Sequence, residues 1–255
     1  MTHSREVLEQ TPLERALRIS RTFVSLADTL VADFDVADFL NMLTEHCTEL
    51  LGVSAAGVIL RDADGSLHVA ATSSQRAELL ELFAVQTDDG PCLDCIRNGT
   101  PVSCTDLPAE AHHWPRFAAA AAECGFRAAQ ALPMRLRDQV IGALTLLNTE
   151  AVGVGPEEIE LGQAMADVAT IGILQQRSIE RGDQLADQLQ TALTSRVVIE
   201  QAKGILAGHG AVSVDEAFTR LRGHARARNL RLTDLARAVA DGHADLAAIL
   251  KRPHR

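Results

Sequence analysis

The stretch Arg127–Leu147, RAAQALPMRLRDQVIGALTLL, holds two apolar runs of strand length. Arg127–Leu136 and Gln139–Leu147 flank Arg137-Asp138, which reads as a hairpin. Upstream, Ala55–Leu60 and Leu67–Ala71 flank Asp64-Gly65, a strong turn signal. Two hairpins predict an antiparallel sheet. Around them the apolar spacing turns helical. Thr11–Val31 carries Leu13, Leu17, Phe23, Leu26 and Leu30; Val36–Leu51 carries Val36, Phe39, Leu40, Leu43, Cys47 and Leu50. Asp35 is the expected N-cap and Gly52 the expected stop of the second helix. Arg76–Val85 and the Ala-rich Trp114–Cys124, closed by Gly125, also read as helices, and Pro101–Cys104 as a short strand. Pro156, followed by Glu157 and Glu158, opens a long helix with acids at its positive end. Residues 12–178 are thus an α+β domain: helix, helix, hairpin, connection, hairpin, helix. The connection, 75–126, is where ligand-binding segments are expected. It contains Gly90-Pro91 and a short segment Cys92–Arg97 that ends at Asn98-Gly99.

The chain has 255 residues and a mass of 27.4 kDa, sized for one large domain or two medium ones. Its 47% hydrophobic and 23% charged residues exclude wholesale disorder. No apolar run approaches the roughly 18–20 residues of a membrane span. The start, MTHSREVLEQ, lacks the apolar stretch of a secretory signal, so the expected location is cytoplasmic. Five cysteines, Cys47, Cys92, Cys95, Cys104 and Cys124, are an odd number, which argues against a disulfide framework there.

Charge divides the chain. Residues 1–180 carry 12 basic and 26 acidic side chains, net −14; residues 181–255 carry 12 and 8, net +4; together they give −10. The helix from Pro156 is expected to leave the body. Leu161, Met165, Val168, Ile171 and Leu174 would pack on it, and Leu185, Leu189, Leu193 and Val197 continue at a spacing of four. That second stripe needs a partner, either a second copy or the chain's own tail; we favour a dimer seam. Residues 196–241 read as three helical segments. The second opens on Ser213-Val214-Asp215-Glu216, a capping-box pattern, with a core face of Val214, Ala217, Phe218, Leu221 and Ala225. Leu232, Leu235, Ala236 and Val239 face the core from the third. Arg196, Lys203, Arg220, Arg222, Arg226, Arg228, Arg231 and Arg237 stud this unit. Guanidinium forks match phosphate oxygens and base edges, which points to nucleic acid; a solvated, ion-paired surface is the plainer alternative.

The run Ser195–Leu206, SRVVIEQAKGIL, resembles the first helix of ANTAR domains, the RNA-binding modules of antitermination regulators. The likeness continues through Ser213, Glu216-Ala217-Phe218, Leu221-Arg222, Ala225, Asn229 and Leu232-Thr233-Asp234-Leu235-Ala236. It implies a three-helix bundle that dimerises through a preceding coiled coil and binds tandem stem-loops in nascent mRNA. Arg196, Gln201, Lys203, Arg222 and Arg231 are the RNA-binding candidates it suggests. The body resembles a GAF domain, a small-molecule sensory fold, on GPCLDC (90–95), Asp106-Leu107, Trp114-Pro115-Arg116-Phe117, Gly125-Phe126 and Ala131–Leu136. Together these resemble the GAF–ANTAR regulators of actinobacteria. The implied layout is an N-terminal helix and GAF domain over 1–178, a helical linker over 179–195, and the ANTAR domain and tail over 196–255. The implied function is RNA-binding regulation by antitermination or translational control, driven by a signal at the GAF domain and without catalysis.

Cys92-x-x-Cys95, with Cys104, marks a possible redox or ligand-sensing position. Close thiols can exchange with a disulfide; with His112, His113 and Cys124 a zinc set can be written, but at irregular spacing; buried packing is the third use. The Asn-Lys-x-x-Phe signature of cyclic-nucleotide GAF domains, a haem motif and a phosphate-binding Gly-rich loop are all missing, so the sequence assigns no cofactor. Two other readings stay open. GAF-fold enzymes can reduce free methionine sulfoxide with cysteines, and Leu230–Ala240 can pass for part of a DNA-binding helix-turn-helix.

Overall fold

The computed structural model describes residues 11–30 and 35–251. It divides into two compact units between Arg177 and Ser178. In the first unit, α1 (Pro12–Thr29) starts on a reciprocal cap: Glu14 N–H donates to the Thr11 hydroxyl and Thr11 N–H to the Glu14 carboxylate. The expected continuation to Val31 lies outside the described residues. α2 (Val36–Leu51) runs between the Asp35 cap and Gly52, whose φ of 65° suits glycine. Then follow β1 (Ala55–Arg61), β2 (Leu67–Thr72), α3 (Gln75–Thr87), α4 (Pro91–Asn98), β3 (Val102–Cys104), α5 (Pro115–Glu123), β4 (Ala128–Leu136) and β5 (Gln139–Asn148). The short segment after Gly90 is therefore a helix, held between Pro91 at its first turn and Gly99 at its end.

The strands form one antiparallel sheet in the order β2-β1-β5-β4-β3. β1, β4 and β5 are buried on both faces, which is why they read as continuous apolar runs. One face carries large side chains (Val58, Leu60, Leu132, Met134, Leu144, Leu146) and packs against α1, α2 and the first part of α6 (Pro156–Gly210). The other carries mostly small ones, Ala55, Ala129, Ala131 and Ala143, beside Ile59 and Leu147, and is covered by α3, α4 and α5. Small residues let the helices press close, and their bulk fills the layer: Leu80, Leu93, Trp114 and Phe117. On α6, Met165, Ala166, Ala169 and Ile173 are buried, whereas Ile171 is exposed, against expectation. Leu13 and Leu17 of α1 are likewise exposed; Ile19, Phe23, Leu26 and Leu30 make its contact with the core.

The second unit has one more helix than expected, and its first is not separate. α6 runs unbroken for 55 residues, through Gly182 and Gly204, so its last turns supply Ala202 and Leu206 to the tail core. α7 (Val214–Ala227) adds Ala217, Leu221 and Ala225, and α8 (Leu232–Ala240) adds Leu235, Ala236 and Val239. The additional α9 (Leu246–Leu250), capped by Asp245, adds Ile249. Val214 is exposed rather than core, because it occupies the first turn beside the Ser213 cap. No helix among the described residues is long and apolar enough to cross a membrane.

Two glycines make opposite predictions. A Cβ on Gly142 in β5 would collide with the Ile59 carbonyl of β1, which cannot move without breaking the ladder. Gly142→Ala should cost about 1–3 kcal/mol. A Cβ on Gly182, inside α6, meets nothing, and Gly182→Ala should add about 0.5–1 kcal/mol of helix stability. Thermal unfolding followed by circular dichroism checks both signs.

Candidate functional site

The segment before α4 is held by carboxylates. α5 begins at Trp114, whose side chain cannot cap, and Asp89 supplies the acceptor: its Oδ2 receives Arg116 N–H at 2.9 Å and Phe117 N–H at 3.0 Å. That places Gly90 against the Phe117 ring at φ 138°, where a Cβ would lie 2.7 Å from the ring. Only glycine fits. Trp114 Nε1–H donates to Asp94 Oδ2 at 2.9 Å, and Arg97 donates to the other oxygen of Asp94 at 3.0 Å. The Gly-Pro-Cys-x-Asp and Trp-Pro-x-Phe segments are one knot that ties α4 to α5.

Cys92, Cys95 and Cys104 all lie in the core under α3–α5. Burial pushes the Cys92 thiol well above its ordinary value, the nearby Glu81 carboxyl adding to the effect; burial alone takes Cys95 to about 12, and Cys104 is also raised. These thiols stay protonated at neutral pH and are poor nucleophiles and poor metal ligands. They are free, and no group of three or more potential ligands is arranged for a metal among the described residues. His112 and His113 sit exposed in the loop before α5. Cys104 also borders a cleft of roughly 220 Å³ with Ser103, Gln130 and Asn148, below the ~300–1,000 Å³ usual for small-molecule pockets.

The residue that sequence reading missed is Glu81. It sits on α3 as the one charged residue of the apolar run Leu79–Val85, and it is fully buried. It overlies the row Thr72–Gly57–Thr145–Ala131, which crosses β2, β1, β5 and β4. A Cβ on Gly57 would stand 3.2 Å from Glu81 Cγ, so this glycine makes the space. Neither carboxyl oxygen has a well-formed hydrogen bond, nor does the Thr145 hydroxyl. Burial raises the Glu81 carboxyl from 4.5 to about 7, partly offset by the nearby Thr145 hydroxyl and Cys92 thiol.

In the second unit, Arg196, Gln201, Arg222 and Arg231 are exposed, on α6, α6, α7 and the N-cap of α8. Among the described residues, none of the three arginines has a carboxylate partner; the tail's ion pairs are Lys203–Glu200 and Arg220–Glu216. Lys203 is thus placed differently from the rest. Its ammonium lies 2.9 Å from Glu200 and 5.4 Å from the Phe218 ring centre, bracing α6 against α7.

Comparison with known proteins bears on both units. The GAF domain family matches residues 35–173, and the ANTAR domain family matches residues 187–239. No curated protein matches the chain. Among solved structures, the first unit is similar to the GAF domain of a phosphoenolpyruvate-protein phosphotransferase from Coxiella burnetii, at 16% identity and TM-score 0.52, covering 65% of this chain and 98% of that one. It is also similar to the GAF domain of the phosphoenolpyruvate-protein phosphotransferase from Acinetobacter, at 9% identity and TM-score 0.52, covering 67% and 98%. A free methionine-R-sulfoxide reductase from Neisseria meningitidis matches at 17% identity and TM-score 0.50, covering 65% and 93%. At these identities the likeness is one of fold.

Glu81 predicts a pH dependence. Below about pH 4.5 folded and unfolded chains both hold the proton. Between about 4.5 and 7 the unfolded chain releases it and the folded chain keeps it, so stability falls as pH rises, then levels off. The full loss is on the order of 3 kcal/mol. Chemical denaturation of the wild type and Glu81→Gln across this range should show the difference between them widening with pH; a constant difference would mean that Glu81 is not buried as an acid.

Proposed function

Because this chain belongs to the GAF domain family and carries an ANTAR domain behind that fold, we propose that it is an RNA-binding regulator acting on stem-loops in nascent mRNA. The observation that carries the reading is the ANTAR match over a helical unit in which, among the described residues, the exposed Arg196, Arg222 and Arg231 have no carboxylate partner. Arg196, Arg222 and Arg231 would contact phosphates and Gln201 a base edge. Lys203 belongs to the scaffold, since its charge is engaged inside the unit. The outcome for the transcript would be antitermination or altered translation, set by a signal at the face under α3–α5 and carried by α6. A redox role for Cys92, Cys95 and Cys104 has little support from protonated, buried thiols, and the same holds for a cysteine-dependent methionine sulfoxide reductase.

The working form would be a homodimer. Leu185, Leu189, Leu193 and Val197 are 55–59% exposed along one helix, and a second copy of that stripe is the occupant that its repeated spacing suits. Two tail units would then meet two stem-loops.

Fluorescence anisotropy with a tandem stem-loop RNA, a loop-scrambled RNA and a matched DNA duplex tests the reading. The intact loops should bind tightest, at two chains per RNA, with a log–log salt slope of about −0.7 for each phosphate neutralised. Arg222→Ala with Arg231→Ala should lower that affinity about tenfold or more. Equal weak binding to all three would contradict the RNA reading, and preference for the duplex would favour a DNA regulator.

A further inference from the structure

One face of α7 carries a charged series at every fourth position: Glu216, Arg220, His224 and, at its C-cap, Arg228. With α9 and Lys251 this face encloses a groove of roughly 530 Å³. The first cation in it is spent on the fold. Arg220 donates to Glu216 at 2.8 Å and to the Leu250 carbonyl at 2.5 Å, fastening α9 to α7. The other cations are not. Among the described residues neither Arg228 nor Lys251 has a carboxylate partner. Arg228 Nη1 instead lies 2.6 Å from His224 Nε2. Burial pushes the His224 ring below its ordinary value, the Arg228 guanidinium beside it acts in the same direction, and the Ala248 backbone and Asp245 oppose them more weakly. Glu216 is committed to Arg220. Asp245, the remaining acid near His224, caps α9 by accepting Ala248 N–H at 3.0 Å. Gly223 also lines the groove, and a Cβ there would meet nothing, so the space is open.

Positive charge without a counter-ion, a planar donor fork and a ring able to gain a proton form a set that a tetrahedral oxyanion satisfies. We propose that this groove is a phosphate site, in which the Arg228 fork, the Lys251 ammonium and the His224 ring N–H bind one phosphate, supplied in the working complex by the RNA backbone. The identity of the donor rests on the RNA reading above; the site itself does not. An anion placed between Arg228 and His224 reverses the field on the ring, so binding draws a proton onto His224 and strengthens as pH falls. The charged groups facing the ring are Arg228, Arg220 and Lys251 on one side of the balance and Glu216 and Asp245 on the other.

The experiment uses the full chain in two arms. In the first, imidazole NMR signals are followed against pH with and without inorganic phosphate, His224→Gln identifying the resonance. Phosphate should move the His224 titration to higher pH. In the second, tandem stem-loop RNA binding is measured near pH 6 and pH 8 for the wild type, His224→Gln, Arg228→Gln and Gly223→Glu, the last placing a carboxylate in open space without touching the core. Wild-type affinity should be several-fold tighter at the lower pH, His224→Gln should flatten that dependence, and the other two should lose about tenfold. RNA binding that no variant alters, with no phosphate effect on His224, would overturn the site and leave the RNA reading standing. A phosphate effect on His224 in a chain that binds no RNA would establish the site and overturn the RNA reading. A phosphate effect with RNA binding unchanged in every variant would assign the groove to a free phosphate-bearing ligand and overturn the backbone contact. Failure of both arms would overturn both.

Discussion

A single hydrogen-bonded helix contributes to two hydrophobic cores. Met165, Ala166, Ala169 and Ile173 of α6 are buried against the sheet of the first unit, and Ala202 and Leu206 of the same helix are buried under α7–α9 in the second. Between them lies a stretch with exposed Leu185, Leu189 and Leu193, which join none of the buried clusters among the described residues. A helix of this length holds by packing more than by propensity, and packing for the middle stretch is what the proposed dimer would supply. In the proposed regulator a signal would pass along this helix, with its ends fixed by burial and its middle the place where a change in pairing would cost least.

The sheet shows a second constraint. Its α6 side is built mainly from Leu, Val and Met and is filled largely by the strands themselves; its α3–α5 side is mainly Ala, Gly and Thr, with Ile59 and Leu147, and is filled largely by what the helices bring. Asp89, Gly90 and Phe117 fix those helices at close range. The same closeness buries Glu81 with no adequate partner, an arrangement that lowers stability at neutral pH and persists only because the surrounding packing determines it. Such groups concentrate where proteins respond to something.

How much of this is legible in the chain depends on distance along it. Local chemistry gives the hairpins at Asp64-Gly65 and Arg137-Asp138, the caps at Asp35 and Ser213 and the start at Pro156. α4 carries its signals in plain view, Pro91 at the start and Gly99 at the end, but eight residues are too few for periodicity to register. α9 is shorter still. The continuity of α6 through Gly204 is hidden because glycine lowers helix propensity without forbidding the helix. Glu81 could not be seen at all: its burial depends on Gly57 and Thr145, which only the β1–β5 register brings beneath it. Lys203 and Arg196 both stand within four residues of Glu200, and the structure separates them: Lys203 pairs with Glu200 and lies over Phe218 of α7, whereas Arg196 has no carboxylate partner among the described residues. The α7–α9 groove is half legible, since the series Glu216, Arg220, His224 and Arg228 is local whereas Lys251 arrives from beyond α9.

The central claim is that the arginine surface of the second unit acts on RNA to change how a transcript ends. Single-round transcription in vitro tests it most directly, on a template whose leader forms two stem-loops overlapping a terminator. Added wild-type protein should raise read-through severalfold, and protein carrying Arg222→Ala and Arg231→Ala should not. Unchanged read-through at concentrations where the wild type occupies the RNA would contradict antitermination.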